Sequence, residues 1–104
     1  MMAEKLLRDF YLGFIRIHIL FHARKAPVYG VELMRELVKH GYTVGPGTLY
    51  PILHTMEANG LLLGIKEVVK GKARRCYRIT SKGEFIYQGA QKQAVELITE
   101  ISEE

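Results

Sequence analysis

Apolar positions change rhythm along this chain, and each change marks an element. From residue 3 to 23 they fall on nearly every side of a helical wheel: Leu6, Leu7, Phe10, Tyr11, Leu12, Phe14, Ile15, Ile17, Ile19, Leu20 and Phe21. A helix that is apolar on more than one face is buried on more than one face. Ala26-Pro27 ends it, because a residue before proline avoids helical geometry. A second helix is expected over 30–40, with Leu33, Met34, Leu37 and Val38 inside and Glu32, Arg35, Glu36 and Lys39 outside, and Gly41 stops it. A third is expected over 46–59: Leu49, Ile52, Leu53 and Met56 recur at i, i+3, i+4 and i+7, and Asn59-Gly60 closes it. Pro46 suits its first position, whereas Pro51 lies a turn inside and predicts a bent or irregular first turn.

The rhythm then shortens. Residues 61–69 and 74–80 are rich in β-branched and aromatic side chains, and Lys70-Gly71-Lys72-Ala73 between them reads as a hairpin turn. Ser81 and Glu84 form a capping-box pattern that opens a last helix. There Tyr87, Ala90, Ala94, Leu97 and Ile101 make a heptad seam, widened by Val95 and Ile98. Only the first helix is left to cover that seam, so pairing with the same helices of a second copy is the economical solution. The expected fold is mainly α with a small β-hairpin wing: a winged helix-turn-helix over residues 1–80 and a dimerisation helix over 81–104, forming one compact unit.

Charge sharpens this picture. The net charge of the 104 residues is +4, a modest value, but it is unevenly spread. Between Lys66 and Lys82 stand seven bases and only Glu67 as an acid, a balance of +6; from Glu84 onward five acids face Lys92, a balance of −4. A concentrated basic edge favours a polyanion. The outer side of the third helix carries Thr48, Tyr50, His54 and Thr55, all neutral or weakly basic hydrogen-bonding groups. Such a face suits a DNA groove, where acids are repelled and bare apolar groups bond nothing. Lys70, Lys72, Arg74 and Arg75 are the expected phosphate contacts.

Three blocks carry a family resemblance: Val28-Tyr29-Gly30-Val31-Glu32-Leu33, Gly47-Thr48-Leu49-Tyr50-Pro51, and the run from Ala73 through Arg74, Arg75, Cys76, Tyr77 and Arg78 to Gly83. In order and spacing they resemble the PadR-like transcriptional regulators. The resemblance implies dimeric winged-helix DNA binders, mostly repressors, with a third helix that runs through Pro51. It matches Arg74 and Arg75 to the family's basic wing pair and Tyr29, Tyr50 and Tyr77 to its aromatic positions. Thr55 stands where relatives commonly carry arginine or lysine, and Cys76 where they carry an aromatic residue. The chain has no tryptophan, so the flat ligand platform of drug-binding relatives has no counterpart.

Other signals weigh less. His18 and His22 are spaced to share a metal, but a third ligand is not evident, because His40, His54 and Cys76 lie in other elements; no metal and no cofactor are expected. A redox role for Cys76 would need Arg75 to lower its pKa; a half-buried strand cysteine is the simpler reading. No nucleophile triad or carboxylate pair is visible, so an enzyme is not expected. One cysteine makes no internal disulfide, and the apolar start is interrupted by Arg16, His18 and His22, which argues against secretion or a membrane span; the cytoplasm is the expected compartment. The expected protein is thus a homodimeric DNA-binding repressor that reads a double-stranded operator. An inducer, if there is one, would bind near the dimer interface. The rival is a winged-helix protein–protein adaptor.

Overall fold

Helix α1 (Met2–Lys25) turns Ile15, Ile19, Leu20 and Ala23 inward, four positions on one stripe of its C-terminal half. The computed structural model describes residues 1–104. Strand β1 (Val28–Tyr29) leads directly into α2 (Gly30–Lys39), whose first turn is closed by Tyr29 N–H donating to Glu32 Oε1 at 3.0 Å. At its end Gly41 adopts φ +92°, with Tyr42 N–H bonded to Leu37 O and Gly41 N–H to Val38 O, each at 3.0 Å. These nested bonds satisfy carbonyls the helix leaves free, and the left-handed position favours glycine. Gly60, at φ +77°, ends α3 (Pro46–Ala58) in the same manner.

Helix α3 runs unbroken through Pro51. The expected irregular first turn reduces to one missing bond: Pro51 has no N–H for the carbonyl of Gly47, which lies in an exposed residue where water can bond it. Gly45 O accepts from both Thr48 and Leu49 N–H groups at 3.1 and 3.0 Å.

Strands β2 (Leu62–Val69) and β3 (Lys72–Ile79) pair antiparallel, Val69 opposite Lys72, so the turn is only Lys70-Gly71. Both have positive φ, 51° and 78°, which identifies the type I′ turn that fits strand twist. The turn is two residues shorter than expected, and β3 correspondingly starts earlier. The sheet also has a third strand, since β1 joins β3 in the order β1-β3-β2. Two residues are too short to show a period.

Helix α4 (Ser81–Ile101) is capped by Thr80 and not by the expected Ser81–Glu84 box. Thr80 Oγ1 accepts from Gly83 N–H at 2.9 Å and donates to Gly60 O at 2.6 Å, a second bond that Ser81, one position on, does not make. Glu84 turns instead to Arg24, which donates from Nε to Oε2 at 2.9 Å and so ties α4 to α1.

The core gathers Ile15, Ile19, Leu20, Leu33, Leu37, Leu49, Leu53, Met56, Leu62 and Tyr77 between α1, the helix-turn-helix and the sheet. Each such side chain contributes roughly 1.5–3 kcal/mol on burial. Beyond it the two long helices project. Leu6, Leu7, Phe10 and Phe14 of α1, and Val95, Leu97, Ile98 and Ile101 of α4, are at least half exposed. The molecule measures 53 × 31 × 24 Å, with a radius of gyration of 14.9 Å, above the roughly 13 Å of a compact chain this size. No helix is long and apolar enough to cross a membrane.

Candidate nucleic-acid interface

The apolar stripe of α3 decides which of its side chains face outward. Leu49, Ile52, Leu53 and Met56 are buried. His54 and Thr55 are exposed, while Thr48 and Tyr50 are half-buried. Thr55 Oγ1 donates to Pro51 O at 3.0 Å, leaving the oxygen free only as an acceptor. The ring of Tyr50 lies over Gly30, where a Cβ would stand 2.7 Å from Tyr50 Cε1. Gly30 therefore lets α3 seat against the start of α2, and Tyr50 edges a groove of about 500 Å³ lined also by Tyr29, Glu32, Arg35, Arg74 and Arg75.

Lys70, Lys72, Arg74 and Arg75 are all exposed on the wing. The two arginines are not equivalent. Successive strand residues point to opposite faces of the sheet. Arg74 stands beside Tyr29, its guanidinium carbon 5.6 Å from the ring centre. The Tyr29 hydroxyl donates to Glu67, the register partner of Arg74, and this bond holds the phenol above its ordinary pKa. Arg75 faces α3. Its Nη2 donates to Glu57 Oε2 at 2.7 Å and its Nε to Oε1 at 3.3 Å. That bond holds the Glu57 carboxyl below the ordinary carboxylate range. Gly64 makes the room: a Cβ there would lie 2.7 Å from Arg75 Nε and from both Glu57 oxygens. The bridge fixes the wing to the outer helix. Glu57 and Gly64 did not stand out in the sequence, and Glu67 stood out only as the one acid of the basic stretch, with no sign of its partner Tyr29.

The seam of α4 divides. Tyr87 is buried within the chain, its ring 6.3 Å from that of Phe21 and 4.7 Å from the Arg24 guanidinium. Ala90 and Ala94 are half-buried, and Leu97 and Ile101 are 51% and 52% exposed. Cys76 is fully buried in β3, more deeply than a half-buried strand position, and burial pushes its thiol pKa up. Arg75 does not lower it, because that side chain points to the other face; a reactive thiolate is not built here.

His18 and His22 do have other side chains of ligating type close by. The crossing of α1 and α2 brings Glu36 and His40 beside them. Burial, with the nearby charges of His40 and His22 next, holds His18 below its ordinary pKa, and burial does the same for His22.

The sequence profile of the transcriptional regulator PadR-like family matches residues 19–88. Transcriptional regulator Rv3488 of Mycobacterium tuberculosis is 45% identical over 95 residues, 91% of this chain and 89% of its own. Among solved structures, a PadR-like transcriptional regulator from Bacillus cereus superposes with a TM-score of 0.83 at 29% identity, covering 91% of this chain and 94% of its own. A PadR family transcriptional regulator from Eggerthella lenta gives 0.81 at 25% identity, over 98% and 90%.

Proposed function

This chain belongs to the PadR-like family of transcriptional regulators, and from that premise we propose that it is a cytoplasmic, homodimeric repressor of the operators it reads. The observation that carries the reading is the outer edge of α3. Thr48, Tyr50, His54 and Thr55 offer hydrogen-bonding groups there, backed by a fully apolar stripe and flanked by the basic wing. In this reading α3 enters a major groove and those four side chains meet base edges. Lys70, Lys72 and Arg74 contact phosphates, and Arg75 acts through Glu57 by holding the wing beside the helix.

The dimer reading is supported by the exposed apolar ends of α1 and α4. Ala90 and Ala94 are small enough for close helix approach, and Leu97 and Ile101 are free to pack on a second copy. Two copies would present their α3 helices to half-sites about 34 Å apart, one turn of DNA. An inducer near that interface would act by changing this spacing. The test is binding of the purified chain to the DNA upstream of its own gene, with random duplex as competitor, over a range of salt. Saturable, sequence-dependent and salt-sensitive binding supports operator reading. Equal binding to both duplexes would sink it, and loss of transcription repression in a reporter assay would sink the repressor role.

A further inference from the structure

Two helices each carry a pair of metal-ligating side chains four residues apart, and the fold brings the two pairs together. His18 and His22 lie on α1; Glu36 lies on α2 and His40 at its C-cap. The i, i+4 spacing puts each pair on one helical face, one turn apart. One donor atom each from His22, Glu36 and His40 lies within 4.8 Å of the other two. The His18 ring centre stands 5.1 Å from that of His40 and 6.1 Å from that of His22. An independent sign accompanies this geometry: His18 Nδ1 and His22 Nε2 are buried and have no hydrogen-bond partner. Native proteins pair nearly all such atoms, and an orphan calls for an unseen water or ion. Glu36 is only loosely engaged, its oxygens 3.6 Å from Lys39 Nζ and 3.9 Å from His40 Nε2.

We propose that His22, Glu36 and His40, with His18 as fourth ligand, bind one divalent transition-metal ion of the zinc class between α1 and α2. Imidazoles and a carboxylate are the donors such ions take, and four of them complete a tetrahedral shell. With bonds of about 2.0–2.1 Å the donors must draw closer than they now stand. The exposed, C-terminal position of His40 leaves its side chain free to rotate inward. The ion would clamp the long helix to the first helix of the helix-turn-helix. Through the Gly30–Tyr50 contact, α2 sets the seat of α3. Occupancy therefore sets the angle between the projecting end of α1 and the reading helix, which makes DNA affinity depend on the ion. This last consequence rests on the proposed function; the ion site does not.

The untagged chain, titrated with Co²⁺ and then Zn²⁺ in the absence of DNA, tests the site. One cobalt per chain is expected, with the visible spectrum of a tetrahedral complex that zinc abolishes. Changing even an outer partner of a metal ligand weakens affinity by about 10–100-fold, so His22→Ala and His40→Ala are each expected to weaken it by roughly 100-fold or more. Glu36→Gln, a near-isosteric change, guards against misfolding and is expected to weaken binding too. His54→Ala, the remaining histidine, is expected to bind cobalt as the parent does. No bound ion at micromolar metal, or unchanged binding in the His22 and His40 variants, would overturn the site. A second titration compares duplex DNA affinity with chelator and with one equivalent of zinc, and a change of about tenfold is expected for a coupled effector. Equal affinities overturn the coupling. Absence of DNA binding in both states would instead sink the proposed function, with the cobalt spectrum still deciding the ion site.

Discussion

Arg75 on the wing and Glu57 on the outer helix form a two-point ion pair, Nη2 to Oε2 at 2.7 Å and Nε to Oε1 at 3.3 Å. A base that already has a carboxylate brings little net charge to a phosphate. Removing it alone leaves an unpaired acid beside the DNA. Arg75→Gln is therefore expected to weaken DNA binding, and the Glu57→Gln, Arg75→Gln double variant to recover most of the loss. Fluorescence anisotropy with a labelled duplex gives both affinities. If the double variant binds as poorly as the single one, Arg75 contacts phosphate itself.

The same pair predicts a pH response. The Arg75 hydrogen bond depresses the Glu57 pKa in the folded state. The stability it adds is thus present above the unfolded carboxylate pKa, and it is lost as pH falls through the folded value. Acidification should loosen the wing from α3, seen as faster amide exchange in β2 and β3 relative to α1. Glu57→Gln should lack this acid limb. An identical acid response in the variant would remove Glu57 from the contact.

The wing bases make a separate prediction. Lys70→Ala, Lys72→Ala and Arg74→Ala should weaken binding to operator and random DNA alike, because phosphate contacts carry little sequence information. Each should flatten the slope of log affinity against log salt by roughly 0.9. Lys70 offers a further check, since it holds φ +51° in the type I′ turn. Asparagine tolerates that region better, so Lys70→Asn should raise the midpoint of urea unfolding while weakening DNA binding. Movement of both in the same direction would separate the turn from the contact surface.

On the reading helix, Thr48→Ala and His54→Ala should change operator preference without changing the fold, each lost base contact amounting to about 1–3 kcal/mol. Affinities across a set of single-base operator variants check this. A uniform loss over all of them would make these residues phosphate contacts.

Long elements were legible because their pattern is sustained: the stripe of α3 follows from residue spacing alone, whereas α1, apolar on nearly every side, showed its length and not which face turns inward. Short elements and long-range partners were not. Two residues of β1 carry no period. The choice of Thr80 over Ser81 as cap depends on the reach to Gly60 O. The Arg75–Glu57 pair joins residues eighteen apart, and it depends on which face of β3 each side chain takes. The wing was visible as charge, but which of its charges are already paired was not. Likewise His40 and Glu36 meet His18 and His22 only through the crossing of α1 and α2.

The dimer is the prediction on which operator recognition most depends. Leu97 and Ile101 are about half exposed on a single chain, 51% and 52%, and so are Leu6, Phe10 and Phe14 at the far end of α1, 53%, 56% and 50%. Apolar surface gathered on two projecting helices marks an interaction site rather than scattered surface residues. Since Leu97 lies outside the core of its own chain, Leu97→Glu should leave the protomer folded and act on association alone. Each such side chain contributes roughly 1.5–3 kcal/mol when fully buried, less for one already half covered. Two copies of each would be lost across a two-fold interface. Light scattering should then give about twice the 11.9 kDa of one chain for the parent and a single chain for the variant, with circular dichroism unchanged. Operator affinity should fall sharply with the mass, because two half-sites are no longer held by one particle. A parent of single-chain mass at micromolar concentration, still binding its operator, would remove the dimer from the mechanism.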